Sequence, residues 1–320
     1  MMAETGISEP FLKLLAGARG VLRPFIPKRF RGDIPVVPVV RLSGVIGFST
    51  PLKPGVTVAS MARPLERAFS VRNARAVALV VNSPGGSPVQ SHLIYRRIRQ
   101  LAEEKTLPVI AFVEDVGASG GYMVACAADE IICDVSSIVG SIGVVGGSFG
   151  FPRLMERLGI ERRLYTAGEH KAMLDPFLPE NPEDVARLKA LQKEIHQGFI
   201  DLVKQSRGVR LKGPEETLFS GEYWSGPKAI ELGLADGIGD LRSTLRARFG
   251  DKVVTPLVVP ERSLFGRVRP GVGSRGFGLD RFGLDAIGSG GFDPLSYGAE
   301  LAGGVISALE ARALWARYGL

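Results

Sequence analysis

Six consecutive apolar residues, Ala76-Val77-Ala78-Leu79-Val80-Val81, show no polar alternation. Such a strand is buried on both faces, the usual condition of a parallel sheet covered by helices. It runs straight into Asn82-Ser83-Pro84-Gly85-Gly86-Ser87-Pro88. A helix is predicted next, over residues 89–104, with Leu93, Ile94, Ile98 and Leu101 on one face. The unit then recurs. Pro108-Val109-Ile110-Ala111-Phe112-Val113 reads as a second buried strand. A turn containing Gly117, Ser119, Gly120 and Gly121 follows, and then a short apolar helix over residues 122–128. Repeated strand–turn–helix units predict an α/β layered fold with a mainly parallel sheet flanked by helices. In open sheets of this class ligands bind beyond the carboxyl ends of the strands, where both glycine-rich turns are expected.

At 320 residues the chain is long enough for one large domain with appendages. Residues 1–33 read as a basic, partly amphipathic arm. Phe11, Leu12, Leu14 and Leu15 alternate there with Lys13, Arg19, Arg23 and Lys28, and no acidic residue falls between positions 10 and 32. Such a stretch suits peripheral contact with an anionic membrane surface, or docking on a neighbouring subunit. The globular domain is expected over residues 34–260. It opens with a strand and turn within 36–46 and a helix near 57–70. Further strands are expected over 130–133, 161–166 and 253–259, with a Gly-punctuated extended segment over 139–145. Short helices are expected over 151–158 and 226–232. The strongest helix is predicted over 182–206, capped by Asn181 and striped by Val185, Leu188, Leu191, Ile195, Phe199 and Leu202. Residues 261–320 read as a Gly-rich linker followed by a C-terminal helix that packs on the body or a partner.

Several function classes are disfavoured. The net charge of +7 is modest and the arginines are scattered, so nucleic-acid binding is not expected. No stretch of 18 apolar residues predicts a membrane span, and the N-terminus shows no signal-peptide cleavage pattern. Cys126 and Cys133 sit in apolar runs, as buried thiols of a reducing compartment do. No Cys/His cluster has metal-ligand spacing, and no metal or cofactor is expected.

Ser119 is the candidate nucleophile, because a tight strand-to-helix turn exposes a hydroxyl beside the free N–H groups of a helix start. It needs a base. His92, His170 and His196 are candidates by type, although their positions give them little support. A lysine is the other option, provided desolvation lowers its pKa by several units. Lys171 lies in a loop between a strand-like and a proline-rich segment. The Pro84-Gly85-Gly86 turn supplies N–H groups suited to an oxyanion.

Several blocks resemble the signal peptide peptidase family of serine–lysine proteases, the SppA/SohB type, within the wider Clp-protease/crotonase-like fold. They are Val80 to Gly86, Gly117-Ala118-Ser119-Gly120-Gly121-Tyr122, Val139-Gly140-Ser141-Ile142-Gly143-Val144 and Thr166-Ala167-Gly168-Glu169-His170-Lys171. A late block, Ala229-Ile230-Glu231-Leu232-Gly233-Leu234-Ala235-Asp236, also resembles the family. The resemblance implies Ser119 as nucleophile, Lys171 as general base, Ser141 orienting the lysine amine, and Gly86 and Gly120 N–H groups as the oxyanion hole. It further implies a ring-like homo-oligomer acting on unfolded or signal-derived peptides, in the cytoplasm or peripheral to the inner face of the membrane. Two departures stand out: many relatives carry an N-terminal anchor and a serine after the lysine, where this sequence has Ala172. A non-catalytic peptide-binding scaffold and a crotonase-type acyl-CoA enzyme are the alternative readings of the same fold.

Overall fold

The computed structural model describes residues 34–47 and 55–259, together with Ala313 and Trp315. The expectations for residues 1–33, the Gly-rich linker and most of the tail lie outside the described residues.

Strand β1 (Val39–Ser43) starts after Pro38 and stops at Gly44, whose φ of +107° turns the chain. Thr57 then caps helix α1 (Val58–Phe69): its hydroxyl accepts the Ser60 N–H, and the Ser60 hydroxyl accepts the Thr57 N–H. Pro64 lies inside this helix. The all-apolar run forms β2 (Val77–Ser83), and the helix after it is α2 (Pro88–Lys105), capped by Ser87. Strand β3 (Val109–Ala118) is longer than the sequence pattern indicated, and short helix α3 (Gly120–Ala125) follows Ser119 directly. Then come β4 (Glu130–Cys133), β5 (Ile138–Gly140), α4 (Pro152–Leu158) and the 26-residue α5 (Pro182–Arg207). A final set comprises α6 (Glu215–Leu218), β6 (Tyr223–Ser225), α7 (Gly226–Glu231), β7 (Gly237–Ile238), α8 (Leu241–Phe249) and β8 (Leu257–Val258).

The sheet runs β6-β5-β3-β2-β1-β8, with β4 joining β3 and β7 joining β4. All pairings are parallel except the β5–β6 edge. The period of two along each strand sorts the core onto two faces. Val40, Leu79, Val81, Ala111 and Val113 pack with α1, α2 and α3 in the larger core. Val39, Ala78, Val80, Ile110 and Phe112 form a smaller one against Leu245 of α8. Trp315 packs on a third small cluster, Val116 and Ala118.

The extra length of β3 has a physical cause. Val81 pairs with Val113, but Ser83 pairs with Gly117, so β3 carries two additional residues between the paired positions. The Asn82 side chain fills that bulge: its Nδ2 donates to Asp115 at 2.5 Å and its Oδ1 accepts the Val116 N–H at 3.3 Å. The Ser137 hydroxyl lies 3.0 Å from the Val113 carbonyl and 2.5 Å from that of Glu114. Glu114 itself takes a bidentate Arg41. Below the bend β3 pairs with β4, and above it with β5. The bulge thus swings the strand end and Ser119 onto a new strand neighbour.

Other expectations need correction. Residues 161–166 form no strand and are exposed throughout. The extended segment over 139–145 is paired only as far as Gly140, and the late strand shrinks to Leu257–Val258. Leu93 is exposed, while the buried face of α2 is Ser91, Ile94, Ile98, Leu101 and Ala102. Only the C-terminal end of the α5 stripe is buried, at Phe199, Leu202 and Val203, while Leu191 and Ile195 are exposed. Helix α5 is therefore docked at one end, and its other end belongs to an exposed arm.

Candidate active site

Ser119 stands between the bent end of β3 and the first turn of α3, with φ 52° and ψ −124°. This backbone conformation is costly for a residue with a Cβ and persists only where the surroundings enforce it. Two contacts do so: the Ser119 N–H donates to the Gly140 carbonyl at 2.8 Å, and the Ser119 carbonyl accepts the Met123 N–H at 3.0 Å.

Close approach from β2 then explains the glycines. A Cβ on Gly85 would lie 2.8 Å from both the Ser119 Cβ and the Gly120 nitrogen. A Cβ on Gly121 would meet the Ser83 carbonyl oxygen at 2.4 Å, and one on Gly120 would meet the Ser91 hydroxyl at 2.3 Å. Gly86, at φ +141°, is locked by Ile46: the Ile46 N–H donates to the Gly85 carbonyl, and the Ser87 N–H donates to the Ile46 carbonyl, each at 2.8 Å. The N–H groups of Gly86 and Gly120 have no acceptor among the described residues. Two turns far apart in sequence thus lie against each other, with Ser119 between them.

Ser141 follows Gly140 and is buried, with φ 54°. Its N–H donates to the Glu222 carbonyl at 2.6 Å, and the Trp224 ring fills the space beside Gly140. Ser119, Gly120, the Gly85–Gly86 turn and the Ser141 backbone are therefore brought to one end of the sheet.

Lys171 is not brought to them. It is exposed, in a turn where its N–H donates to the Gly168 carbonyl and its side chain lies over Gly168. The histidines also stay apart. His92 is exposed beside Tyr95 on α2, His170 lies 4.0 Å from Glu169, and His196 Nε2 lies 3.0 Å from the Ile142 carbonyl. Among the described residues no hydrogen bond joins the Ser119 hydroxyl to Lys171 or to a histidine.

Sequence reasoning missed Ser91 and Trp224, which shape the site from two other elements, α2 and β6. It also missed the ion pair beneath the site. Arg207, at the docked end of α5, is fully buried and makes a bidentate contact with Asp236 at 2.7 and 2.8 Å. Asp236 also accepts the Ile131 N–H at 2.7 Å. Burial pushes its carboxyl up, but the bonds from Arg207 and Ile131 and the nearby guanidiniums outweigh that and hold it below the usual range. The Tyr122 hydroxyl of α3 donates to the Leu234 carbonyl at 2.8 Å, in the same layer. The residues Asp236 and Leu234 belong to the late block over 229–236, which gave the only signal for this layer in the sequence.

The profile of peptidase family S49 matches residues 101–251. The sequence is 53% identical over 302 residues to a protein of Brucella abortus named Na(+)/H(+) antiporter NhaA; the match covers 94% of this chain and 39% of that relative. It is 30% identical to the putative protease slr0021 of Synechocystis, over 65% of this chain and 76% of the relative. It is 34% identical to the probable protease SohB of Buchnera aphidicola, over 51% of this chain and 47% of the relative. The chain thus spans about two fifths of the length of its Brucella relative. Among the described residues no helix is long and apolar enough to cross a membrane. The S49 profile and the match to most of the Synechocystis protease agree: this chain belongs to the S49 family of serine peptidases, the SppA/SohB type.

Proposed function

We propose that this protein is a serine endopeptidase that cleaves unfolded or membrane-derived peptides, such as signal-peptide remnants, through an acyl-enzyme. The observation that carries the reading is the Ser119 turn, packed against Gly85 and flanked by the Gly86 and Gly120 N–H groups, which have no acceptor among the described residues. In this reading the Ser119 hydroxyl attacks the peptide carbonyl and passes its proton to the neutral amine of Lys171. The resulting ammonium protonates the leaving amine as the C–N bond breaks. Water, deprotonated by the same lysine, then hydrolyses the ester and regenerates Ser119. The Gly86 and Gly120 N–H groups hold the tetrahedral oxyanion, each worth about 3–4 kcal/mol in a dry site. Ser141 orients the lysine amine. The layered architecture fits the Clp-protease/crotonase-like class.

A lysine base must be shielded from water, because a solvated ammonium stays protonated at neutral pH. The arm that carries Lys171 exposes Val145, Phe149, Leu154, Leu158, Leu164 and Leu191. So much apolar surface on one segment fits burial against further copies of the chain. A homo-oligomer would thereby cover the lysine and close the site to folded proteins. Residues 1–33 are assigned peripheral contact with the inner face of the membrane, on their basic and apolar composition alone.

The test is hydrolysis of an unfolded apolar peptide, such as a signal-peptide fragment, by the wild type and Ser119→Ala. Cleavage by the wild type and its loss in the variant are expected. Equal cleavage by both would overturn the assignment of Ser119.

A further inference from the structure

Three consecutive residues next to Ser119 are each tied to a different element. The Gly140 carbonyl accepts the Ser119 N–H at 2.8 Å, the Ser141 N–H donates to Glu222 at 2.6 Å, and the Ile142 carbonyl lies 3.0 Å from His196 Nε2. The first two ties come from the body of the sheet. The third comes from α5, the helix that leaves the body. Beyond Ile142, which is fully buried, the chain passes through Gly143 into the exposed arm. His196 thus ties this segment to α5 at the point where it departs. Three residues further along α5, Phe199 is buried and fixes the helix against the body. Gln192, one turn earlier, lies beside Gly146.

The bond has a defined sense. A carbonyl only accepts, so the imidazole must carry its proton on Nε2. The segment it holds is strained at Ser141, whose φ is +54°, next to Gly140, which adopts φ +114° without a Cβ penalty. A left-handed serine relaxes toward extended or helical backbone unless both of its neighbours are held. Gly140 is held by Ser119, and Ile142 by His196.

We propose that His196 is a positioning residue: by clamping the Ile142 carbonyl it keeps Ser141 in its left-handed conformation opposite Ser119. The orientation of α5, and with it the arm bearing Lys171, is thereby coupled to the catalytic end of the sheet. This role rests on the peptidase reading above. The clamp itself is a structural relationship that can be tested without activity.

The test uses the 320-residue chain and two variants. His196→Leu removes the donor while keeping apolar bulk, and His196→Gln places an amide N–H near the position of Nε2. Hydrogen–deuterium exchange is measured over residues 139–146, and kcat and KM on an unfolded apolar peptide. His196→Leu is expected to speed exchange in this segment and to lower kcat about tenfold, the scale of one hydrogen bond, with KM within about twofold. His196→Gln is expected to restore both readouts to within about threefold of wild type. Unchanged exchange in His196→Leu would overturn the clamp, whether or not the wild type hydrolyses peptides. Faster exchange with kcat unchanged in an active enzyme would overturn the positioning role. Loss of kcat in both variants alike, with a lowered melting temperature, would reduce His196 to a packing residue. A wild type that exchanges as expected but cleaves nothing would count against the peptidase reading rather than the clamp.

Discussion

Ser119 and Gly140 are joined by a single hydrogen bond, from the N–H of the first to the carbonyl of the second, at 2.8 Å. It belongs to the parallel β3–β5 ladder, continuing the pairing of Ala118 with Gly140. Because Ser141 is the next residue, the bond fixes the backbones of two proposed site residues relative to each other. The β3 bulge around Asn82 makes it available, since only above the bend does β3 meet β5.

The Pro-Gly-Gly turn should tolerate no side chain at Gly86. A Cβ there would sit 2.1 Å from the Ile46 carbonyl oxygen, and φ is +141°. Gly86→Ala is expected to cost about 1–3 kcal/mol or more in urea unfolding and to abolish turnover. Gly147→Ala, where a Cβ meets nothing within 4 Å, is the matched control and should match the wild type in both.

Lys171→Ala is expected to lower kcat by about 10²–10⁴-fold, as loss of a general base does. The side chain is exposed in a turn, so the melting transition of the single chain should shift by no more than about 0.5 kcal/mol. Full turnover in this variant would move the base to another residue.

Arg207 and Asp236 should dominate the electrostatic part of stability. Asp236→Asn leaves a fully buried guanidinium without its anion, and is expected to destabilise by about 3–5 kcal/mol at pH 7. The sign of the pH dependence follows from the lowered carboxyl. The wild-type advantage over Asp236→Asn is complete above the unfolded carboxyl value of about 3.9 and disappears as pH falls through the lower folded value. Urea midpoints of both proteins between pH 7 and 3 check it.

The two thiols should be inert in the folded chain. Burial pushes Cys126 up to about 12 and Cys133 up to about 11. At pH 8 iodoacetamide is expected to modify neither until urea unfolds the protein, as read by mass. Rapid modification of the native chain would mean that the layer beneath α3 opens.

What the sequence disclosed and what it hid divide along physical lines. Strands buried on both faces are legible because their composition is extreme: β2 and β4 appear where the apolar runs stand. The turns are legible because glycine is required where a Cβ would strike backbone, as at Gly86 and Gly121. The extension of β3 through Glu114 and Asp115 is not, because charged residues inside a strand contradict propensity. They are accommodated by Arg41 and Asn82, distant in sequence. Residues 161–166 and the α5 stripe mislead for another reason. Both belong to or run into an arm that is exposed among the described residues, and of the stripe only Phe199 and Leu202 are buried while Leu191 and Ile195 stay exposed. Lys171 lies in the same arm, which is why the motif that singles it out finds no counterpart in contacts with Ser119.

Covalent labelling with a fluorophosphonate, with the adduct mapped by peptide mass, tests Ser119 as the nucleophile most directly. The expected result is one adduct, on Ser119, formed about 10²-fold or more slowly in Lys171→Ala. An adduct on another residue, or no adduct under conditions where the wild type hydrolyses peptide, would contradict the assignment of Ser119 as the nucleophile.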